Sequence, residues 1–240
     1  MNTFLPALLA FAAVTATADA PPRAAGLPTP QDSLTAWMRP GVSLGLAEHR
    51  ARTISDVRYE LALDVSTLDH ASGTVFVRFD RTGRDDVILD FRGPRLLNAS
   101  ANGMPLPGPI ANGAHLRIAD RWLQTGTNTL EFEFRAEIAP SGASIIRFHD
   151  RTDDSDYLYT LLVPADANQL FPCFDQPDLK ARVTLTLTTP AGWSALANGR
   201  LASADTASVP SADVTNISVP RAVAGARITF HFAPTRPIST

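Results

Sequence analysis

The sequence predicts an all-β protein, built as an antiparallel sandwich or as stacked sheets. From Ile54 onward apolar and polar residues alternate with a period of two, which places one face of each strand in a core and the other in water. Turn residues separate these segments about every ten residues, and the pairs Asn102-Gly103 and Asn112-Gly113 are typical of tight hairpin turns. Nineteen prolines among 240 residues also disfavour long helices.

The composition is that of an ordinary globular protein and argues against several classes of function. Hydrophobic residues make up 45% of the chain, charged residues make up 19%, and the formal net charge is −3. A weakly acidic chain offers no electrostatic reason to bind nucleic acid or an anionic membrane surface. The single cysteine, Cys173, excludes an internal disulfide and a cysteine-based zinc site.

The first 18 residues are predicted to be a secretory signal peptide. The apolar run from Phe4 to Ala16 is shorter than the roughly 20 residues of a transmembrane helix, so no membrane span is expected. Two small-x-small patterns, Ala16-Thr17-Ala18 and Ala18-Asp19-Ala20, suit a signal peptidase, and the first is preferred because the second leaves Pro21 just after the cut. The alternative is a disordered apolar tail. A signal peptide implies export, to a periplasm or to the outside.

Residues 19–40 are interpreted as a proline-rich linker. Prolines fix φ and lack a backbone donor, so neither helix nor sheet is expected to extend through this segment. Its apolar residues Leu34, Trp37 and Met38 are candidates to dock on the domain that follows. The next stretch, residues 43–53, is predicted to form one short helix with Ser43 as its N-cap.

The domain itself, residues 41–240, is predicted to consist of strands joined by turns. A first hairpin joins residues 59–65 to residues 75–79. Residues 202–213 are small and polar and are interpreted as an exposed loop. The other predicted strands are 87–91, 96–101, 115–118, 130–134, 183–188, 195–198, 214–219 and 228–232.

No group of residues has the spacing of a metal site. No two histidines are three or four residues apart, H-E-x-x-H does not occur, and each histidine is expected to be a surface or half-buried side chain. The acidic run Asp150–Asp156 lacks the Gly and Glu of a calcium loop and is interpreted as a solvated connection between strands. The histidines are His49, His70, His115, His149 and His231.

The sequence also offers no activated nucleophile. Neither G-x-S-x-G nor a glycine-rich phosphate loop occurs. Cys173 lies between Pro172 and Phe174, and such an apolar setting raises the pKa of a thiol and leaves it inert. No catalytic residue is therefore predicted in this chain.

The run Phe171–Ala181, FPCFDQPDLKA, closely resembles the FPCFDEP-x-x-KA signature of the aminopeptidase N family of zinc metallopeptidases. The segments Tyr157–Thr160, Pro164–Ala167 and Ala195–Gly199 are similar to bacterial members of that family. The resemblance extends over about residues 41–240. It indicates the N-terminal β domain of an exported bacterial member, with the catalytic domain absent from this chain.

The resemblance implies a saddle of packed sheets that lies against a catalytic domain, and an architectural rather than catalytic role for the signature. The physical properties of its residues agree. The aromatic side chains supply buried area, the prolines stiffen turns, and Asp175 and Lys180 are expected to be partners in a polar network. The residues with this predicted structural role are Phe171, Pro172, Cys173, Phe174, Asp175, Pro177 and Lys180.

The family's chemistry resides in motifs that this chain lacks. The resemblance implies a zinc ion held by H-E-x-x-H and a distant Glu, and a substrate amino group bound by the acid of G-x-M-E-N, and neither motif occurs here. Family members also carry a Gln just after the Thr that corresponds to Thr160. Here Leu161 occupies that position, and leucine cannot accept a hydrogen bond from an ammonium group. No metal ligand, substrate-binding residue or peptidase activity is therefore predicted for this chain alone.

Three functional hypotheses follow. In the first, the chain is the non-catalytic N-terminal domain, truncated, split or fragmentary, of a zinc aminopeptidase that removes N-terminal amino acids from peptides. In the second, it is a stand-alone secreted β-sandwich binding module without peptidase activity, and the face that would pack on a catalytic domain is an exposed apolar patch. In the third, a separate chain supplies the catalytic half. The partner is then a zinc-peptidase domain in cis or in trans, and peptides bind only in that context.

Overall fold

The computed structural model describes residues 30–93, 95–107, 110–206 and 226–240, and most elements in these ranges are strands, which confirms the all-β class. Two helices come first, α1 (Pro30–Trp37) and α2 (Leu44–Thr53). Two short 3-10 helices, Asp120–Trp122 and Ala167–Gln169, lie between strands. The strands are β1 (Ile54–Asp64), β2 (His70–Arg81), β3 (Val87–Asp90), β4 (Arg95–Ala101), β5 (Met104–Pro105), β6 (His115–Ile118), β7 (Gly126–Ala139), β8 (Ile145–Asp150), β9 (Ser155–Thr160), β10 (Arg182–Pro190), β11 (Leu201–Thr206) and β12 (Arg227–Phe232).

The two helices precede the sheet. Ser43 caps α2 as predicted, because its Oγ accepts a hydrogen bond from the backbone N–H of Leu46 at 3.3 Å. Helix α1 lies in the segment where no helix was expected, so that expectation is wrong for residues 30–37. Its first residue is Pro30, and proline is tolerated there because the missing N–H would have no partner within the helix. Neither of these helices combines the length and the apolar character needed to cross a membrane.

In the described ranges, ten strands form one large sheet, in the order β11-β12-β10-β1-β2-β7-β4-β5, with β8 beside β7 and β9 beside β8. The predicted first hairpin is β1–β2, with Leu61 opposite Val75. The expectation of a purely antiparallel arrangement is wrong for two pairs, since β1 runs parallel to β10 and β7 runs parallel to β8. The parallel pairing of β1 with β10 is possible because the whole middle of the chain separates these two strands. The β7–β8 pair is short, with Ile138 opposite Ile145 and Ala139 opposite Ile146.

The last third of the chain differs from the prediction in two places. Residues 195–198 do not form a strand, whereas residues 201–206, within the predicted loop region and just before it, form β11. Strand β11 is held by backbone pairing with β12, and its small and polar side chains carry no apolar alternation that could mark it in the sequence. The predicted strand 214–219 lies outside the described residues.

The core lies between the inner face of the large sheet and a cover made of the β3–β6 pair and residues 171–174, so the predicted stacking of sheets is confirmed. Aromatic rings join the two layers. Phe174 meets Phe79 edge to face with centroids 5.4 Å apart, and Phe171 meets Tyr59 in the same manner at 5.5 Å. The signature segment is therefore part of the cover of the core.

Candidate functional site

The signature segment, residues 171–181, runs antiparallel to the end of β3. The backbone N–H of Asp90 donates to the carbonyl oxygen of Cys173 at 2.7 Å, and the N–H of Cys173 donates back to that of Asp90 at 3.2 Å. Residues 171–176 are buried, whereas Pro177 and Lys180 are exposed. The segment is thus fixed by backbone bonds as well as by its aromatic rings.

A buried ion pair lies beneath this segment. Arg50 on α2 donates to both carboxylate oxygens of Asp90 at 2.8 Å, and its Nε and Nη2 donate to the carbonyl oxygen of Ile88 at 3.2 and 2.8 Å. The two charged side chains are only 2% and 3% exposed. Asp90 also accepts a hydrogen bond from the backbone N–H of Asp175 at 2.8 Å. A buried pair is tolerated when such additional hydrogen bonds satisfy its charged groups, and this pair meets that condition.

His115, the first residue of β6, joins the pair. Its Nδ1 lies 2.9 Å from Oδ1 of Asp90, as an ion-pair contact rather than an aligned hydrogen bond, and its Nε2 lies 2.7 Å from the carbonyl oxygen of Arg39. Burial opposes ionisation of both groups, but their mutual contact outweighs it. The pKa of Asp90 is lowered, with Arg50 contributing, and the pKa of His115 is raised, with the Arg39 carbonyl contributing. His115 is 1% exposed, so the expectation of a surface or half-buried histidine is wrong here.

The remaining polar contacts of the signature hold its backbone and side chains in place. The N–H of Phe174 donates to the hydroxyl of Tyr59 at 2.9 Å. Burial raises the pKa of the Cys173 thiol well above its ordinary value, as predicted, so the thiolate needed for nucleophilic chemistry is disfavoured.

Asp175 has a different partner from the one expected. Its carboxylate accepts hydrogen bonds from the backbone N–H of Asn168 at 3.0 Å and from the Asn168 side chain at 2.7 Å. Burial raises the pKa of Asp175. Lys180 is exposed and makes no hydrogen bond or ion pair with Asp175, so the expected Asp175–Lys180 pair is wrong. An ammonium group is strongly hydrated, and the neutral amide of Asn168 reaches the buried carboxylate with a smaller loss of hydration.

The sequence did not reveal the network of Arg50, Asp90 and His115, called the buried charged network below. One local signal was present. Arg50 follows Leu46 by four residues, so both lie on the same face of α2, and both are buried. A charged residue on the apolar face of a helix requires a buried counter-charge, but nothing in the sequence identifies Asp90, forty residues away, as that partner.

The hairpin formed by β8 and β9 carries a row of exposed apolar side chains. Phe148 lies opposite Tyr157, and one step along the same face Ile146 lies opposite Tyr159. Phe148, Tyr157 and Tyr159 are about half exposed, and after β9 Leu161 is 57% and Val163 77% exposed. Among the described strands β9 pairs only with β8, so its outer edge is free. Phe148, Tyr157, Tyr159, Leu161 and Val163 are called the apolar strip below.

The apolar strip includes Leu161, the residue at which the resemblance implies a Gln in family members. Leu161 donates its backbone N–H to the carbonyl oxygen of Ser144 at 3.0 Å, and its side chain points away from the core. Apolar surface of this kind, with a free strand edge beside it, is typical of a contact site for another protein surface.

The acidic run Asp150–Asp156 comprises the turn of the β8–β9 hairpin and the strand ends beside it, which confirms the predicted connection between strands. Asp153 accepts hydrogen bonds from the hydroxyl of Tyr157 at 2.6 Å and from the N–H of Ser155 at 3.0 Å. Across the described ranges, no three His, Cys, Asp or Glu side chains lie close enough together to hold a metal ion.

These features define the class of the protein as an all-β domain of stacked sheets, organised by a buried charged network and carrying an apolar strip on one hairpin. The family model described as the Peptidase M1 N-terminal domain matches residues 56–240, and the chain belongs to this family.

Individual relatives agree with this assignment. Aminopeptidase N of Streptomyces lividans is 32% identical over 166 residues, which cover 66% of this chain and 19% of that protein. Aminopeptidase Q of Mus musculus is 32% identical over 72 residues, which cover 29% of this chain and 13% of that protein. The structure of native leukotriene A4 hydrolase from Saccharomyces cerevisiae shares the fold, with a TM-score of 0.58 at 17% identity over 79% of this chain and 28% of that one. The chain thus spans about a fifth of the length of the Streptomyces enzyme.

Zinc is the metal of this aminopeptidase family. The described residues do not fit such an ion, because no three of their histidines, cysteines and carboxylates lie close enough together to hold it, and the buried Asp90 is already engaged by Arg50 and His115. No hydrolytic step can therefore be assigned to these side chains.

Proposed function

We propose that this chain is the non-catalytic N-terminal domain of an exported zinc aminopeptidase that removes N-terminal amino acids from peptides. The observation that carries the proposal is that the Peptidase M1 N-terminal domain family matches residues 56–240, while the chain spans 19% of its Streptomyces relative. H-E-x-x-H and G-x-M-E-N are absent from the sequence. The zinc ion and the catalytic base therefore come from a catalytic domain, in cis or in trans, and peptides bind only in its presence.

The apolar strip is the surface that contacts this catalytic domain. Five apolar side chains, each about half exposed or more, present roughly 500 Å² of surface. A specific interface buries about 800 Å² on each partner, so the strip suits the apolar centre of a larger contact. The hydroxyl of Tyr157, which donates to Asp153 at 2.6 Å in the turn of the same hairpin, supplies polar groups for a rim on this face.

The first experiment measures hydrolysis. The chain is assayed alone with amino-acid anilides and excess zinc, with and without a chelator, and no turnover above the blank is expected. The DNA downstream of codon 240 is then searched for H-E-x-x-H, and the polypeptide that it encodes is co-expressed with the chain. Co-purification and chelator-sensitive hydrolysis are expected. Chelator-sensitive turnover by the chain alone, after controls for contaminating peptidases, would refute the non-catalytic assignment. A well-folded chain that binds no peptidase polypeptide would favour the stand-alone binding module.

The second experiment locates the contact. Tyr159→Asp places a charge in the apolar strip, whereas Leu196→Asp, at a residue that is 98% exposed and lies outside the hairpin, is the matched control. The strip variant is expected to bind the catalytic polypeptide at least about tenfold more weakly, the effect of losing roughly 1.4 kcal/mol at an aromatic contact. The control is expected to bind as the wild type does. Equal affinities for both variants would show that the catalytic domain contacts a different surface.

A further inference from the structure

At least three contacts among the described residues join the segment before the domain to the domain. This segment, residues 30–40, comprises α1 and the turn after it and is called the strap. The ring of Trp37 stacks on His49 of α2 with centroids 4.4 Å apart, and Nδ2 of Asn112 donates to the carbonyl oxygen of Met38 at 2.6 Å. The third contact is between His115 and the carbonyl oxygen of Arg39. The predicted docking of Trp37 and Met38 is therefore confirmed.

The third contact depends on the protonation of His115. Its two ring nitrogens face two acceptors, the Arg39 carbonyl oxygen at 2.7 Å from Nε2 and Oδ1 of Asp90 at 2.9 Å from Nδ1. A neutral imidazole has a single N–H and can satisfy only one of them, whereas the doubly protonated ring satisfies both. The two contacts of His115 can therefore be made together only by an imidazolium.

Asp90 cannot turn away when His115 loses a proton. Both of its oxygens are held by Arg50 from α2, and Oδ2 also accepts from the backbone N–H of Asp175. Arg50 and Asp90 are the charged side chains that act on the ring, and the strap contributes the Arg39 carbonyl. A neutral ring with its proton on Nε2 would direct a lone pair at the carboxylate. With its proton on Nδ1, the neutral ring keeps its contact with the Asp90 carboxylate, and the Arg39 carbonyl oxygen is left without a donor.

We propose that His115 is a pH-sensitive clasp, which fastens the strap while its ring is doubly protonated and releases it when one proton is lost. Release also changes a neighbouring surface, because Met38 forms one wall of a cavity of about 340 Å³ whose other walls include Leu106, Ile110 and Trp122. This cavity, which Asn112, Arg117 and Arg121 also line, loses its Met38 wall in the released state. The clasp is independent of the proposed peptidase context, since all of its groups lie within this chain.

The sign of the effect follows from the contacts. The pKa of His115 is raised above its ordinary value of 6.5 in the fastened state by Asp90 and the Arg39 carbonyl, despite the opposing effect of burial. The strap is therefore fully fastened below about pH 6.5 and is released as the pH rises through the higher pKa. Between the ordinary pKa of His115, in the released state, and its raised pKa, in the fastened state, the equilibrium constant for fastening falls by up to about tenfold for each pH unit.

The test follows His115 and Trp37 by NMR in the full chain between pH 5.5 and 9.5, a window set around the ordinary histidine pKa of about 6.5. The imidazole signal of His115 and the indole signal of Trp37 are expected to change with the same midpoint, above 6.5. Chymotrypsin cleavage after Trp37 should accelerate over the same interval, relative to a peptide of residues 30–42. Different midpoints for the two signals, or an indole signal that stays constant while His115 titrates, would overturn the proposal.

Two variants distinguish the titration of His115 from that of a histidine away from the strap. His115→Gln keeps a side-chain N–H but does not titrate, and it is expected to abolish the Trp37 transition. His231→Gln is the control, because His231 lies on β12 and its ring contacts Thr186 and Asp205 rather than the strap. The transition above 6.5 should survive in that variant. A transition that persists in His115→Gln contradicts the clasp. If that variant does not fold, the comparison of midpoints in the wild type decides.

Discussion

Replacing Arg50 by Met should be among the most damaging single changes in this domain. Methionine keeps most of the aliphatic volume but removes every donor, so the two bonds to Asp90 and the two to the Ile88 carbonyl are lost together. Asp90 is then a buried carboxylate with His115 and one backbone N–H as its remaining partners. Breaking a buried ion pair in this way costs about 3–5 kcal/mol, much of it the penalty of an uncompensated buried charge.

Urea unfolding followed by circular dichroism measures this cost. With a slope of about 2 kcal/mol per M, the midpoint is expected to fall by roughly 1.5–2.5 M. Arg52→Met is the matched control on the same helix. Arg52 is 66% exposed and lies 3.9 Å from Glu48, and such a surface pair contributes about 0.5 kcal/mol or less. If Arg50→Met loses less than about 1 kcal/mol, or no more than Arg52→Met, the buried charged network does not stabilise the domain by the expected amount.

Three further predictions concern stability and reactivity. A Cβ on Gly73 would overlap the ring of Phe134, so Gly73→Ala should lower the free energy of unfolding by about 1–3 kcal/mol in urea titrations. Adding Phe134→Leu to this variant should restore part of that free energy. If the double variant is no more stable than Gly73→Ala, the overlap is not the cause of the loss. Because burial raises its pKa, Cys173 should resist a thiol-specific reagent in the native state and react on unfolding, and rapid native labelling would contradict its burial. The free energy of unfolding should fall as the pH rises through the raised pKa of His115, and it should also fall at low pH as Asp90 is protonated below 3.8. His115→Gln should lose the fall at high pH and keep the fall at low pH. If the fall at high pH is unchanged in His115→Gln, His115 is not its source.

Several features were predictable because they depend on neighbours in sequence. The alternation of Leu61 and Leu63 with polar residues predicted β1, and Ser43 predicted the start of α2. The burial of Phe171 and Phe174 also followed from their apolar surroundings. In each case the relevant information lies within about ten residues, where side-chain periodicity and capping act.

Other features were missed because their partners are distant in the chain. Strand β11 exists through its pairing with β12, and its own side chains carry no pattern. The parallel pairing of β1 with β10 joins residues more than a hundred positions apart, for example Leu61 and Leu185. Asp175 is hydrogen-bonded to Asn168 and not to the expected Lys180, and this too depends on where the 3-10 helix at residues 167–169 lies.

By itself the sequence determined the all-β class, the family to which the signature belongs, and the absence of the H-E-x-x-H and G-x-M-E-N motifs from this chain. Only the tertiary structure decided that Arg50, Asp90 and His115 share one buried site, and that the residues from Phe148 to Val163 expose an apolar strip. The physical reason is that periodicity reports which face of a strand is apolar. It does not report which distant charge neutralises a buried one, or whether an apolar face is covered.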